Sequence, residues 1–355
     1  MMKFKSDSGE NMDVVDILKD LVSFNTIKDK ENEKIINYIE KILKSIGFKT
    51  ECKKKYLIMS YGLNTNLAFV GHTDTVEFID TWNTNPFKLT KKDDKLYGLG
   101  SCDMKSGIAS FIKALMDTDL TRLNYGIKVF FTYSEEQNFE GIKEIISDGN
   151  TFPKYILVGE PTNNIALTGC KGLLSYELNF NGIKVHSSNP SKGKSANSSC
   201  INFLYELEKF YNEKIKNDKN TKYEIPFTTM NIGILNGGSA INSVSAHCKA
   251  TLDFRIAKDE HIDILKNIIN KLSIKYDCKA NIIQEIKAWY NQIDFIKNID
   301  TANYFTEASM IEGQRIILGA GPVTAHEVNE FITVKSLNKL VKQYKKIINQ
   351  TCINL

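Results

Sequence analysis

The sequence predicts an α/β fold with a second, α+β domain inserted into it, and three observations carry that reading. Over the first 171 residues, short apolar runs that end in polar residues alternate with helical patterns. From about residue 172 the order changes to strand–helix–strand–strand–helix–strand, the layout of a split ferredoxin-like unit. The stretch from 285 to 355 then returns to the first style. The expected domains are therefore 1–171 together with 285–355, and an insert over 172–284.

Each element has its own signal. Val14, Ile17, Leu18 and Leu21, then Ile35, Ile36, Ile39, Ile42, Leu43 and Ile46, recur at helical spacing, and Gly47 stands where a helix would stop. "LAFVG" (67–71), "IKVFFTYS" (127–134) and "YILVGE" (155–160) read as strands, with a helix over Gly107–Met116 between the first two. In the insert, "LLSYELNFNGIKVHSS", "TTMNIGILNGG", "SVSAHCKATLDFRI" and "KANIIQEIKAW" read as strands around helices through "CINFLYELEKFY" and "HIDILKNIINKLSI". "RIILGAG" is a last strand, and residues 333–350 a closing helix.

Composition narrows the function. With 355 residues, 42% hydrophobic and 25% charged, the chain can bury two cores. A formal charge of +4, from 46 basic against 42 acidic side chains, is too small and dispersed to point to nucleic acid or membrane. Seven scattered cysteines without a C-x-x-C pair fit reduced thiols rather than a disulfide frame or a structural zinc knot. The start "MMKFKSDSGENMD" has no apolar signal core, and the expectation is a cytoplasmic protein with a small-molecule partner.

The chemistry gathers where strands end, the place ligands occupy in α/β sheets. "GHTDTV" sets His72 and Asp74 two apart, a spacing that suits a ligating imidazole and the carboxylate that orients it. Asp103 sits in a glycine-rich turn before a helix, Glu135 and Glu136 follow one strand, Glu160 the next, and His326 the last. Any one of these read alone is a loop histidine, a helix cap or a solvated carboxylate. Together they form an oxygen-and-imidazole set for a divalent metal such as zinc, cobalt or manganese, and packing offers no reason for them to coincide at strand ends.

"GHTDTV", "LYGLGSCDMKSG", "SEEQNFEG", "GEPT", "VHSSNP" and "HEVNEF" resemble, in order, the signatures of the amidohydrolase and peptidase family with two co-catalytic zinc ions, which includes acetylornithine deacetylase, succinyl-diaminopimelate desuccinylase, aminoacylase and glutamate carboxypeptidase. The resemblance implies a metallo-exopeptidase-like catalytic domain with a mixed sheet, and an inserted lid or dimerisation domain. It implies two divalent ions, zinc or else cobalt, with Asp103 between them, His72 and Glu160 on one side, and Glu136 and His326 on the other. Glu135 is then the general base, Asp74 orients His72, and the Asp103–Met104 peptide bond is cis. His186 is implied to steady the oxyanion across a homodimer interface, and Asn242 and Arg255 to bind the substrate. A surface salt bridge from a strand stays open for Arg255, as does a plain loop role for His186. His247 and His261 match no motif. Glu77, Ser245 and the "VHSS" spelling depart from common family spellings without removing a ligand. The implied reaction is hydrolysis of an N-acyl amino acid, with N2-acetylornithine the leading expectation and a desuccinylase, another N-acyl-amino-acid deacylase such as an aminoacylase, or a dipeptidase the alternatives. A silent binding relative would need a lost ligand or base, and none is lost.

Overall fold

The computed structural model describes residues 12–78, 81–297 and 299–354; most of the N-terminal stretch read for a signal core lies outside them. Two amphipathic helices come first. Helix α1 (Val14–Ser23) starts at Asp13, whose side chain and that of Asp16 close a reciprocal cap, and α2 (Asn32–Ser45) follows. Their predicted apolar stripes, such as Ile17, Leu18, Ile35 and Ile39, are buried.

The chain continues through β1 (Lys49–Lys53), β2 (Leu57–Tyr61), β3 (Leu67–His72), β4 (Thr90–Lys92), β5 (Lys95–Tyr97), α3 (Lys105–Met116), β6 (Ile127–Thr132), α4 (Glu135–Asn138), α5 (Glu140–Ser147), β7 (Tyr155–Val158) and β8 (Ala166–Cys170). The insert supplies β9 (Gly172–Asn181), α6 (Ala196–Phe210), β10 (Thr229–Gly237), β11 (His247–Ile256), α7 (Glu260–Tyr276) and β12 (Cys278–Ile286). Short strands β13 (Trp289–Tyr290) and β14 (Ile299–Ala302) come before β15 (Gln314–Ile317), β16 (Phe331–Thr333) and helix α8 (Val334–Ile348).

Two compact units result: the described residues within Met1–Thr168, Asn291–Asp300 and Thr306–Leu355, and those within Gly169–Tyr290 and Thr301–Phe305. The insert is thus slightly larger than the 172–284 expected. β12 runs to Ile286, and the residues flanking β9 and β12, with 301–305, cluster with it.

In the first unit the sheet order is β1-β2-β6-β3-β7-β15-β8. β6, β3, β7 and β15 are mutually parallel, whereas β2 on one flank and β8 on the other are antiparallel to their neighbours, so the sheet is mixed. Phe69 of β3 stacks on Phe111 of α3 at 4.2 Å between centroids, and Tyr344 of α8 meets Phe69 edge-on at 6.1 Å. Fully buried aromatics of this kind contribute about 1.5–3 kcal/mol each, and they hold α3 and α8 to one face of the sheet. Because four adjacent strands run the same way, their carboxyl ends lie along one edge. In the second unit the antiparallel order β10-β11-β9-β12, with α6 and α7 packed on it, is the ferredoxin-like layout.

Candidate active site

His72 is the last residue of β3, Glu160 lies two residues beyond β7, Glu135 and Glu136 follow β6, Asp103 occupies the turn before α3, and His326 lies in the loop after β15. The fold brings these side chains to one place. His72 Nε2 stands 3.1 Å from Asp103 Oδ1 and 3.6 Å from Glu160 Oε1. His326 Nε2 stands 3.6 Å from Asp103 Oδ2 and 2.9 Å from Glu136 Oε2. Asp103 therefore turns one carboxylate oxygen to each of two donor pairs. Three sets, His72–Asp103–Glu160, His72–Glu135–Glu136 and Asp103–Glu136–His326, each offer ligand atoms within 4.8 Å of one another.

The paired glutamates do not continue the strand. Ser134, at φ 57°, leaves β6 in the left-handed region and opens the short helix α4, with Glu135 and Glu136 in its first turn. The Asp74 carboxylate accepts the backbone N–H of Glu135 through Oδ1 and of Glu136 through Oδ2, both at 3.1 Å. Neighbouring helical side chains diverge by about 100°, which lets Glu136 pair with His326 while Glu135 stays on the His72 side. His72 Nδ1 faces two acceptors of Asp74, its carboxylate and its backbone carbonyl. Its closest acceptor is the backbone carbonyl of Asp74 at 3.1 Å, and the Asp74 carboxylate is at 3.5 Å.

Three buried ionisable side chains that the sequence reading did not single out lie around this cluster. Glu330 accepts the N–H groups of Gly100, Cys102 and Asp103 at 2.8, 2.6 and 2.9 Å, so one carboxylate pins the turn that carries Asp103. The Asp103–Met104 peptide bond in that turn is cis. Lys105, fully buried, donates to the Phe24 carbonyl at 3.0 Å, and burial pulls its ammonium down to about 7. Glu307, also fully buried, lies beside Thr132 with His72 and Asp74 nearby, and burial pushes its carboxyl up to about 7.

Burial also pushes the Glu160 and Glu135 carboxyls well above the usual range, with Asp103 adding repulsion at both. For His72, burial works downward, but Glu160 and the Asp103 hydrogen bond hold its imidazolium well above the ordinary value. The Glu136 hydrogen bond raises His326 to about 9. Four carboxylates crowded this closely call for positive charge, and Glu160 Oε1 is a buried acceptor without a hydrogen-bond partner. An oxygen-and-imidazole donor set with an orphaned carboxylate oxygen fits divalent cations.

The remaining expected residues lie in the second unit. His186 and Asn242 come together there. A β-bridge links His186 to Ser243, Ser187 N donates to the Asn242 carbonyl at 2.9 Å, and both side chains are exposed. Arg255 presents its fork to Asp253, at 2.8 and 3.2 Å, beneath the ring of Phe305. That is the strand salt bridge left open above. His247 meets Asn181, and buried His261 bridges Thr228 and Asp218.

A mixed α/β sheet whose carboxyl edge gathers imidazole and carboxylate donors fits a metal-dependent enzyme. The sequence profile of Peptidase family M20/M25/M40 matches residues 68–350, and the chain belongs to that family. It is 30% identical to acetylornithine deacetylase of Photorhabdus laumondii, over 92% of this chain and 92% of the relative. It is also 30% identical to acetylornithine deacetylase of Pasteurella multocida, over 91% and 92%. Among solved structures, aminopeptidase PepT from Bacillus cereus superposes with a TM-score of 0.79 at 18% identity, covering 95% of this chain and 98% of that one. The YXEP protein of Bacillus subtilis, described as a dinuclear metal binding peptidase, superposes at 0.70 and 12% identity, covering 95% and 98%. Among the described residues, no helix is long and apolar enough to cross a membrane.

Proposed function

We propose that this chain hydrolyses N2-acetylornithine to ornithine and acetate. The observation that carries the reading is Asp103, placed between two imidazole–carboxylate pairs. The named relatives supply the substrate.

In this proposal His72 and Glu160 would hold one ion and Glu136 and His326 the other, with Asp103 offering a carboxylate oxygen to each pair; zinc is the expected metal, with cobalt able to serve. Divalent cations held there would supply an acidified water and a polarised amide carbonyl. Glu135 takes the proton of the water whose oxygen adds to the carbonyl carbon. As the C–N bond breaks, the same carboxyl returns the proton to the leaving amine. Asp74 and Glu330 hold the backbone on which these side chains stand. His186 donates an N–H to the oxyanion in the site of a partner subunit, Asn242 hydrogen-bonds the substrate, and Arg255 shares its fork between Asp253 and the substrate carboxylate.

A homodimer through the inserted unit is supported by its exposed apolar residues. Ile234 and Leu235 on edge strand β10 are 57% and 56% exposed, and Ile201 and Tyr205 on α6 are 59% and 67% exposed.

The test is kcat/KM of the zinc-loaded protein on N2-acetylornithine, N-acetyl-lysine, N-succinyl-diaminopimelate and a dipeptide. A preference for N2-acetylornithine supports the proposal. A preference for the succinyl substrate or the dipeptide replaces the substrate, and no turnover of any amide rejects the reaction.

A further inference from the structure

A cavity of about 350 Å³ opens in the first unit between the loop after β7, the segment at 295–297 and helix α8. Its volume falls in the ordinary range for small-ligand sites. None of its lining residues belongs to the donor cluster. The floor is apolar: Phe295, Ile296, Leu318 and Ile347. Ile165, 43% exposed, extends it outward.

The rim is cationic. Lys297, Lys339 and Lys346 line the opening, all three exposed. Among the described residues none of them closes an ion pair, although Lys44, Lys53 and Lys113 elsewhere on the chain each meet a carboxylate. Lys339 and Lys346, seven apart on α8 with Gln343 between them, share one face of the helix. That helix reads "VKSLNKLVKQYKKII", with lysines and no carboxylate to offset them. A favourable interaction with the helix C-terminus accounts for Lys345 and Lys346 in the last turn but not for Lys339. The polar wall is rigid, because Asn164 and Gln343 exchange two hydrogen bonds of 3.1 and 3.0 Å.

We infer that this cleft is a binding site for a small anionic molecule with an apolar body, a carboxylate or phosphate on a hydrocarbon frame. The floor removes the hydrocarbon from water, and the lysine stems can fold over it while their ammonium groups meet the anion at the rim. A neutral apolar ligand would satisfy the floor and leave the lysine ring repelling itself. An anion without an apolar body would gain only exposed, screened contacts.

The experiment is a thermal-shift and calorimetric titration of the metal-loaded protein with octanoate, octyl phosphate and octanol, comparing the wild type with the double variant Lys339→Glu/Lys346→Glu. Octanoate or octyl phosphate should bind saturably and raise Tm, octanol far less, and added salt should weaken the anions. Which anion binds tighter tells carboxylate from phosphate. The double variant should weaken them roughly tenfold or more, the scale of two exposed ion pairs turned to repulsion, with its turnover unchanged and its ligand-free Tm slightly lower, because Lys346→Glu sets a carboxylate at the helix C-terminus. Equal binding of octanol and octanoate, binding untouched by the double variant, or no saturable binding would each overturn the inference.

Discussion

The carboxylate of Asp74 accepts the backbone N–H of Glu136 at 3.1 Å through one oxygen, while its other oxygen accepts that of Glu135. One side chain thus sets the first turn of α4, on which two differently directed glutamates depend. Asp74→Asn keeps the size but leaves one acceptor for two donors. The expected outcome is metal affinity lower by about 10–100-fold, the usual cost of disturbing a ligand's support. Metal titration followed by activity would show it, and an unchanged midpoint would mean that the turn holds itself.

The two glutamates should fail differently. Glu135→Gln is expected to keep both ions and lose turnover by roughly 10²–10⁴, the scale of a missing general base. Glu136→Gln, which removes a charged partner of His326, is expected to lose metal from that side. Metal analysis beside single-turnover rates separates the two. Full activity in Glu135→Gln would assign the proton to another group.

The trans role given to His186 can be tested by mixing two inactive variants, His186→Ala and Glu135→Gln. A heterodimer then contains one site with both defects and one with neither, so activity should return once subunits exchange. His186→Ala alone is expected to cost roughly 10²–10³ in turnover, with metal content intact. Exchange shown by mass spectrometry without recovered activity would confine His186 to its own chain.

Lys171 makes a pH prediction away from the metal cluster. It is buried, its Nζ donates to the Phe227 carbonyl at 2.8 Å, and burial lowers its ammonium from 10.5 to about 8. The unfolded chain holds that proton up to about 10.5, so between about 8 and 10.5 unfolding takes up a proton, and stability rises with pH. Below about 8 the burial penalty is present in full. Denaturant titrations of wild type and Lys171→Met should therefore show the wild type gaining on the variant as pH rises through this window. Parallel curves would mean that Lys171 keeps its ordinary proton affinity.

Much of this site was legible because its chemistry sits where short apolar runs stop. His72, Glu160 and the glutamate pair follow strands that "LAFV", "YILV" and "IKVFFT" announce. The hairpin β1–β2 was not legible, since "KTECK" shows lysines where a strand would show apolar alternation and only its pairing with "LIMSY" makes it one. Glu330 was invisible for a different reason. It acts on Asp103 across 227 residues through a backbone N–H, and a carboxylate in "HEVNEF" looks the same in sequence whether it faces water or pins a buried turn. The pairing of Arg255 with Asp253, two positions away on β11, is one that strand spacing permits without announcing.

The central claim is that Asp103 joins two metal sites, and anomalous X-ray scattering from zinc-loaded crystals tests it most directly. The account predicts two zinc peaks roughly 3.5–4 Å apart, one beside His72 and Glu160, the other beside Glu136 and His326, with a carboxylate oxygen of Asp103 toward each. A single peak from a fully loaded, active protein, or two peaks without Asp103 between them, would contradict it.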